Sequence, residues 1–125
     1  MLIKDVKTCK YFKSLDETLI CELLHPDQEK EFLKTGFSVA HAILKPDESS
    51  LPHRMKSSVE VYYMLEGNGL MHIENESAEV GPNQTIYIPP NTTQWIENIG
   101  NSDLKFLCMV YPPWNAEDEE LIKSG

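Results

Sequence analysis

The sequence is short of positive charge, of long apolar runs and of paired cysteines. Lysine and arginine number 11 against 20 aspartate and glutamate, for a net charge of −9. No basic cluster exceeds two neighbouring residues, so the electropositive face that a nucleic-acid partner requires is missing. The opening stretch MLIKDVKTCKYFKS is too charged for a signal peptide or a membrane span, which points to a cytoplasmic chain with no membrane partner. The three cysteines Cys9, Cys21 and Cys108 are odd in number, far apart and form no CxxC pair. That excludes a disulfide framework and fits a reducing compartment. Three Asn-x-Ser/Thr triplets begin at Asn75, Asn83 and Asn91; they carry meaning only in a secreted chain. There is no internal repeat and no low-complexity segment. No stretch before the acidic tail sustains helical periodicity. A chain of 125 residues without a composition break reads as one domain, 1–125, large enough for a core.

What is present is organised around Leu51 to Gly69, LPHRMKSSVEVYYMLEGNG. His53 and Glu60 flank a polar turn, Lys56-Ser57-Ser58. Alternate residues of a strand share a face, so His53 and Met55 point one way. Glu60, Tyr62 and Met64 share the matching face of the next strand. If that face lines a barrel, an imidazole, a thioether and a carboxylate converge on one cavity. Imidazole and carboxylate are ligands for Zn, Mn or Fe. A plain buried His–Glu hydrogen bond is the other reading of the same spacing.

The remaining strands follow the punctuation of Gly, Pro and Asn. Leu19 to Leu24, Phe37 to Leu44, Gly69 to Ile73, Ala78 to Val80, Ile86 to Ile88, Gln94 to Ile99 and Leu104 to Tyr111 read as strands. Residues 1–18 suggest a short edge strand and a loop. Gln28 to Lys34 has room for one helical turn, ended by Gly36. Ala116 to Glu120 reads as a solvated acidic end. Many short strands at regular spacing predict an all-β sandwich or barrel.

Two motifs then carry a resemblance. The first reads Asp47, His53, Met55, Glu60, Gly67, and its spacing matches G-x5-H-x-H-x3,4-E-x6-G. The second reads Gly81, Pro89, Asn91, Gln94, Asn98. Together they cover 47–98, and the chain resembles the cupins, the small β-barrel family. The Phe106-Leu107-Cys108-Met109-Val110 strand is similar to the closing strand of small single-domain members. The resemblance implies a double-stranded β-helix, or jelly-roll barrel. It also implies a metal site of three histidines and one glutamate. Here Met55 and Gln94 stand at two histidine positions, leaving His53, Glu60 and Gln94 as candidate ligands. Thioether sulfur is soft and suits Cu(I) better than harder divalent ions, and an amide oxygen is a neutral, weak donor. The expectation is at most one weakly held divalent ion (Zn, Mn, Fe or Ni).

His53 and Glu60 are the candidate catalytic residues, with Met55, Tyr62, Phe106 and Cys108 as cavity lining. Cys108 shares its face with Leu104 and Phe106; a buried free thiol behaves as a small hydrophobe unless something activates it. Cys9, in the charged N-terminal segment, is expected to be exposed. His41 reads as a satisfied sheet histidine, His25 as structural, and His72 as pointing outward. Trp95, Val61 and Tyr63 should also point outward, and one shared patch would make a homodimer interface. Trp114, just after Pro112-Pro113, reads as a lid or clasp. Three functions remain open. One is a metal-dependent oxygenase or sugar-type isomerase acting on a small polar substrate. The second is a metal-free epimerase or isomerase. The third is a module that binds or senses a small ligand. A shared scaffold does not choose among them.

Overall fold

A computed structural model describes residues 1–123; the last two residues of the span read as one domain lie outside it. The described residues form two antiparallel sheets closed against each other, with no α-helix among them. The larger sheet runs β1 (Phe12–Lys13), β2 (Leu19–Leu24), β3 (Ser38–Leu44), β10 (Leu104–Tyr111), β5 (Val59–Glu66), β8 (Thr85–Ile88). The smaller runs β11 (Glu119–Leu121), β4 (His53–Met55), β9 (Gln94–Asn98), β6 (Gly69–Ile73), β7 (Glu76–Val80). This is the all-β jelly-roll barrel that strand spacing and the two motifs indicated.

Alternation sets which side chains face in. On β5, Glu60, Tyr62 and Met64 are buried between half-buried neighbours. On β9, Gln94, Ile96 and Asn98 are buried. Leu44, Met64, Met71, Ile88, Ile96, Leu104 and Phe106 pack into one apolar cluster, each burial worth about 1.5–3 kcal/mol for side chains of this size. Asp47 and Asn91, which stand where the family motifs have glycine, both take positive φ (70° and 57°). Both corners therefore keep the left-handed backbone that glycine would supply, held by the residue types that tolerate it best. Gly67 (φ 87°) cannot be replaced in this way: a Cβ there would stand 2.6 Å from the Asp103 carbonyl oxygen.

Four expectations need correction. Residues 28–34 form bends, not a helical turn. That stretch has no apolar face to bury, and Phe32 is 88% exposed. The acidic tail is not a solvated end. Ala116–Asp118 forms a short 3-10 turn, and β11 then pairs with β4, Glu119 opposite Met55 and Leu121 opposite His53. Trp95 does not join Val61 and Tyr63, because β9 and β5 belong to different sheets. Trp95 instead stacks on His72, ring centroids 4.2 Å apart, while His72 pairs with Glu97. The single aromatic patch offered for a homodimer is thus not formed. Cys9 is half-buried rather than exposed, its thiol donating to the Glu22 carbonyl.

The other histidines are placed as read. His41 meets the Tyr11 hydroxyl at 2.7 Å, and burial lowers its pKa. His25 donates from Nε2 to the Trp114 carbonyl, 2.7 Å. No helix among the described residues is long and apolar enough to cross a membrane.

Candidate functional site

One end of the barrel interior is polar. His53 enters from β4, Glu60 and Tyr62 from β5, and Phe106 and Cys108 from β10. With Met55 they line one cavity of about 40 Å³. Every cavity residue named from the sequence lines it. Gln94 does not; it lies behind Glu60.

The Gln94 amide is committed on both sides. Its nitrogen donates to Glu60 Oε1 at 2.6 Å, and its oxygen accepts from the Tyr62 hydroxyl at 3.0 Å. Tyr62 thus orients Gln94, and Gln94 orients Glu60. Among the described residues the other Glu60 oxygen takes no hydrogen bond. Burial pushes the Glu60 carboxyl up to about 7, outweighing the attraction of His53 and the Gln94 bond. Burial also raises the Tyr62 hydroxyl and the Cys108 thiol well above their usual ranges. The Cys108 thiol is therefore protonated near neutrality and poorly nucleophilic.

The family's four metal positions do not fit a divalent ion here. Met55 supplies only a thioether, and the carbonyl that Gln94 would offer is turned to Tyr62. Only His53 and Glu60 retain the donor chemistry of that set.

Three acidic residues missed by the motif reading also line the cavity. Asp16 sits in the turn between β1 and β2. Its Oδ1 accepts from the Ser14 hydroxyl and from the Thr18 amide (3.0 Å), so Oδ2 is free to face His53 Nε2, 3.3 Å away. The Leu51 amide donates to the Asp16 carbonyl (2.8 Å), and the Leu51 carbonyl accepts from His53 Nδ1 (2.7 Å). Leu51 therefore fixes both the turn and the imidazole. Glu119 opens β11, and its Oε2 accepts from Trp114 Nε1 at 3.0 Å. Burial, then the nearby Asp16 charge, raises the Glu119 carboxyl. Glu22 also lines the cavity; one of its oxygens is buried with no partner, and burial raises its pKa.

The C-terminal segment holds this wall shut. The Trp114 amide donates to the Ser38 hydroxyl (2.9 Å), and its carbonyl takes the His25 bond. Trp114 is a clasp, as its place after two prolines suggested. Asp118 accepts from the amides of Ser57 (2.9 Å) and Ser58 (3.0 Å) and from the Ser57 hydroxyl (2.6 Å). Burial alone would raise the Asp118 pKa, but these bonds prevail and hold it below the usual carboxylate range. The signals for Asp16 and Glu119 were local: a Ser-x-Asp-x-Thr turn, and an acidic segment directly after Trp114.

Fold and site together define a small ligand-cavity jelly roll. Residues 40–110, more than half of the chain, match the cupin domain model, and the chain belongs to the cupin family. It is 46% identical over 114 residues to an uncharacterized protein of Methanocaldococcus jannaschii, covering 91% of this chain and 89% of that one. An oxalate-binding protein of Thermotoga maritima is 30% identical over 67 residues, covering 54% of this chain and 55% of that one. Among solved structures, the nucleoside dehydratase Pac13 of Streptomyces superposes with a TM-score of 0.77 at 17% identity, covering 98% of this chain and 92% of that one. Variants of Pac13 have been solved with uridine. At that identity the likeness is one of fold.

Proposed function

We propose that this chain binds a small polar molecule in the barrel cavity and moves a proton on it, as an isomerase, epimerase or lyase. The observation that carries this reading is the half-anchored Glu60. One oxygen is fixed through Gln94 and Tyr62, and the other is left for whatever enters the cavity. A general acid–base group needs that combination of fixed orientation and a free atom. A carboxyl held near neutrality accepts and returns a proton at ordinary pH.

Charge narrows the ligand. Asp16, Glu22, Glu60 and Glu119 share the cavity, so a bare dianion such as oxalate is disfavoured and a neutral, hydroxyl-rich molecule is favoured. The cavity, about 40 Å³, has room for only a few heavy atoms, so it takes a small molecule or one group of a larger one. The oxalate and nucleoside ligands of the proteins named above bracket these possibilities. A metal-dependent route through the family positions has less support, since Met55 and Gln94 are poor donors as placed.

The test begins with thermal shift against a panel of polyols, nucleosides and oxalate. Each stabilising ligand is then incubated with the protein in D₂O and followed by proton NMR. The expected result is stabilisation by a neutral polyhydroxylated ligand, with deuterium entering one carbon position. That exchange should fall about 10²–10⁴-fold in Glu60→Gln and persist in Met55→Leu. Binding without exchange in the wild type would leave a sensing module and contradict the enzyme reading. Exchange unchanged in Glu60→Gln would remove Glu60 from the chemistry.

A further inference from the structure

We infer that Asp16, His53 and Glu119 form a divalent-cation site that joins one family motif residue, His53, to two carboxylates from segments near the two ends of the chain. The inference does not depend on Glu60 moving a proton. It starts from His53, which is 2% exposed. Its Nδ1 donates to the Leu51 carbonyl, so in the ring's neutral form Nε2 is a bare lone pair. The atom facing it is Asp16 Oδ2, at 3.3 Å, itself an acceptor. Two buried acceptors in contact repel each other unless a cation lies between them.

Distance separates the candidate cations. A shared proton draws imidazolium nitrogen and carboxylate oxygen to about 2.7–2.9 Å, and 3.3 Å is longer than that. Two donors bound to one ion at about 2.1 Å stand about 3.0 Å apart at a right angle and about 3.4 Å apart at the tetrahedral angle. The observed gap lies in that interval.

Glu119 supplies the third donor. It is 8% exposed, and only its Trp114-bound oxygen takes a hydrogen bond among the described residues. One ligand atom from each of the three residues lies within 4.8 Å of the other two. The supports are in place as well. Ser14 and Thr18 hold the far oxygen of Asp16, Leu51 holds His53, and Trp114 holds Glu119. Such outer contacts aim first ligands at an ion. One imidazole and two carboxylates suit Mn, Fe(II), Zn or Ni, neutralise the charge of a divalent ion, and leave coordination positions open. An ion there would also relieve the repulsion among the cavity's carboxylates.

The test uses the full untagged chain, stripped with chelator and titrated with Mn²⁺, Zn²⁺, Fe²⁺ and Ni²⁺ by calorimetry and thermal shift. One ion per chain and a raised melting temperature are expected. Asp16→Asn and Glu119→Gln should each weaken binding about tenfold or more, with His72→Gln, outside the cavity, unchanged. Carboxyl-carbon NMR of the wild type covers the case in which a variant does not fold. Zn²⁺ should shift the Asp16 and Glu119 signals far more than that of Glu60. No saturable binding by any of the four ions overturns the site. So does a dominant Glu60 shift, which would return the ion to the motif positions. So does stabilisation by methylammonium alone, which would make the three acceptors an amine site. Cation binding and deuterium exchange are read separately, so either can fail without the other.

Discussion

Glu60 couples the cavity to pH. Its carboxyl has an ordinary value of 4.5 and is held at about 7 in the fold. Below 4.5 both folded and unfolded chains carry the proton, and the full contribution to stability is present. Between the two values the folded chain keeps a proton that the unfolded chain releases. Stability therefore falls as pH rises, by up to about 1.4 kcal/mol per unit, and the loss is complete above the folded value. Glu60→Gln removes this slope while keeping an oxygen for Gln94 to bond. The gap in melting temperature between variant and wild type should widen in the variant's favour from pH 5 to pH 8; a constant gap would mean that Glu60 is already ionised in the fold at pH 5. At this scale the sequence was informative where a motif fixed the residue. His53 and Glu60 were legible from spacing. Asp16 and Glu119 were not, because neither lies in a motif and their meeting depends on both chain ends folding over the same strand. Gln94 was legible as a position but not as a role, since only the structure shows its amide held between Glu60 and Tyr62.

The decisive element for access is the C-terminal segment from Trp114 to β11. It was misread because Glu119-Glu120-Leu121 shows no alternation and its neighbours are acidic. Its order comes from partners: the Asp118 bonds to Ser57 and Ser58, the β11–β4 pairing and the Arg54–Glu120 ion pair. The long strands were legible, since period-two burial on β5 and β9 is written in their side chains. Residues 28–34 were overread because local composition permits a helical turn that no tertiary partner supports. If the segment closes the cavity, Asp118→Ala should destabilise the protein by about 1–3 kcal/mol. It should also speed labelling of Cys108 by a small thiol reagent while leaving Cys21, which is fully buried, unlabelled. In the wild type Cys108 should react slowly, its thiol raised well above the usual range by burial. Peptide mass spectrometry after timed labelling reads each cysteine separately. Equal Cys108 rates in variant and wild type would show that the segment does not control entry.

Across the whole molecule the barrel divides its interior by chemistry. One end is filled by the Leu44, Met64, Ile96 and Leu104 cluster and supplies stability. The other collects one histidine and several carboxylates from both sheets and both chain ends. Fold class was legible because turn residues and motif spacing both indicated one barrel. Ligand identity was not, because the cavity wall comes from segments distant in the sequence. The account rests on that polar end being a working acid–base site, with Glu60 held ready to exchange a proton. The most direct measurement is a carboxyl-carbon NMR titration of the chelator-treated protein, with the Glu60 signal assigned by its loss in Glu60→Gln. The account predicts a midpoint near 7 for that carboxyl. A midpoint near the ordinary 4.5 would mean that Glu60 is a solvated or ion-paired charge at neutral pH, and would contradict it.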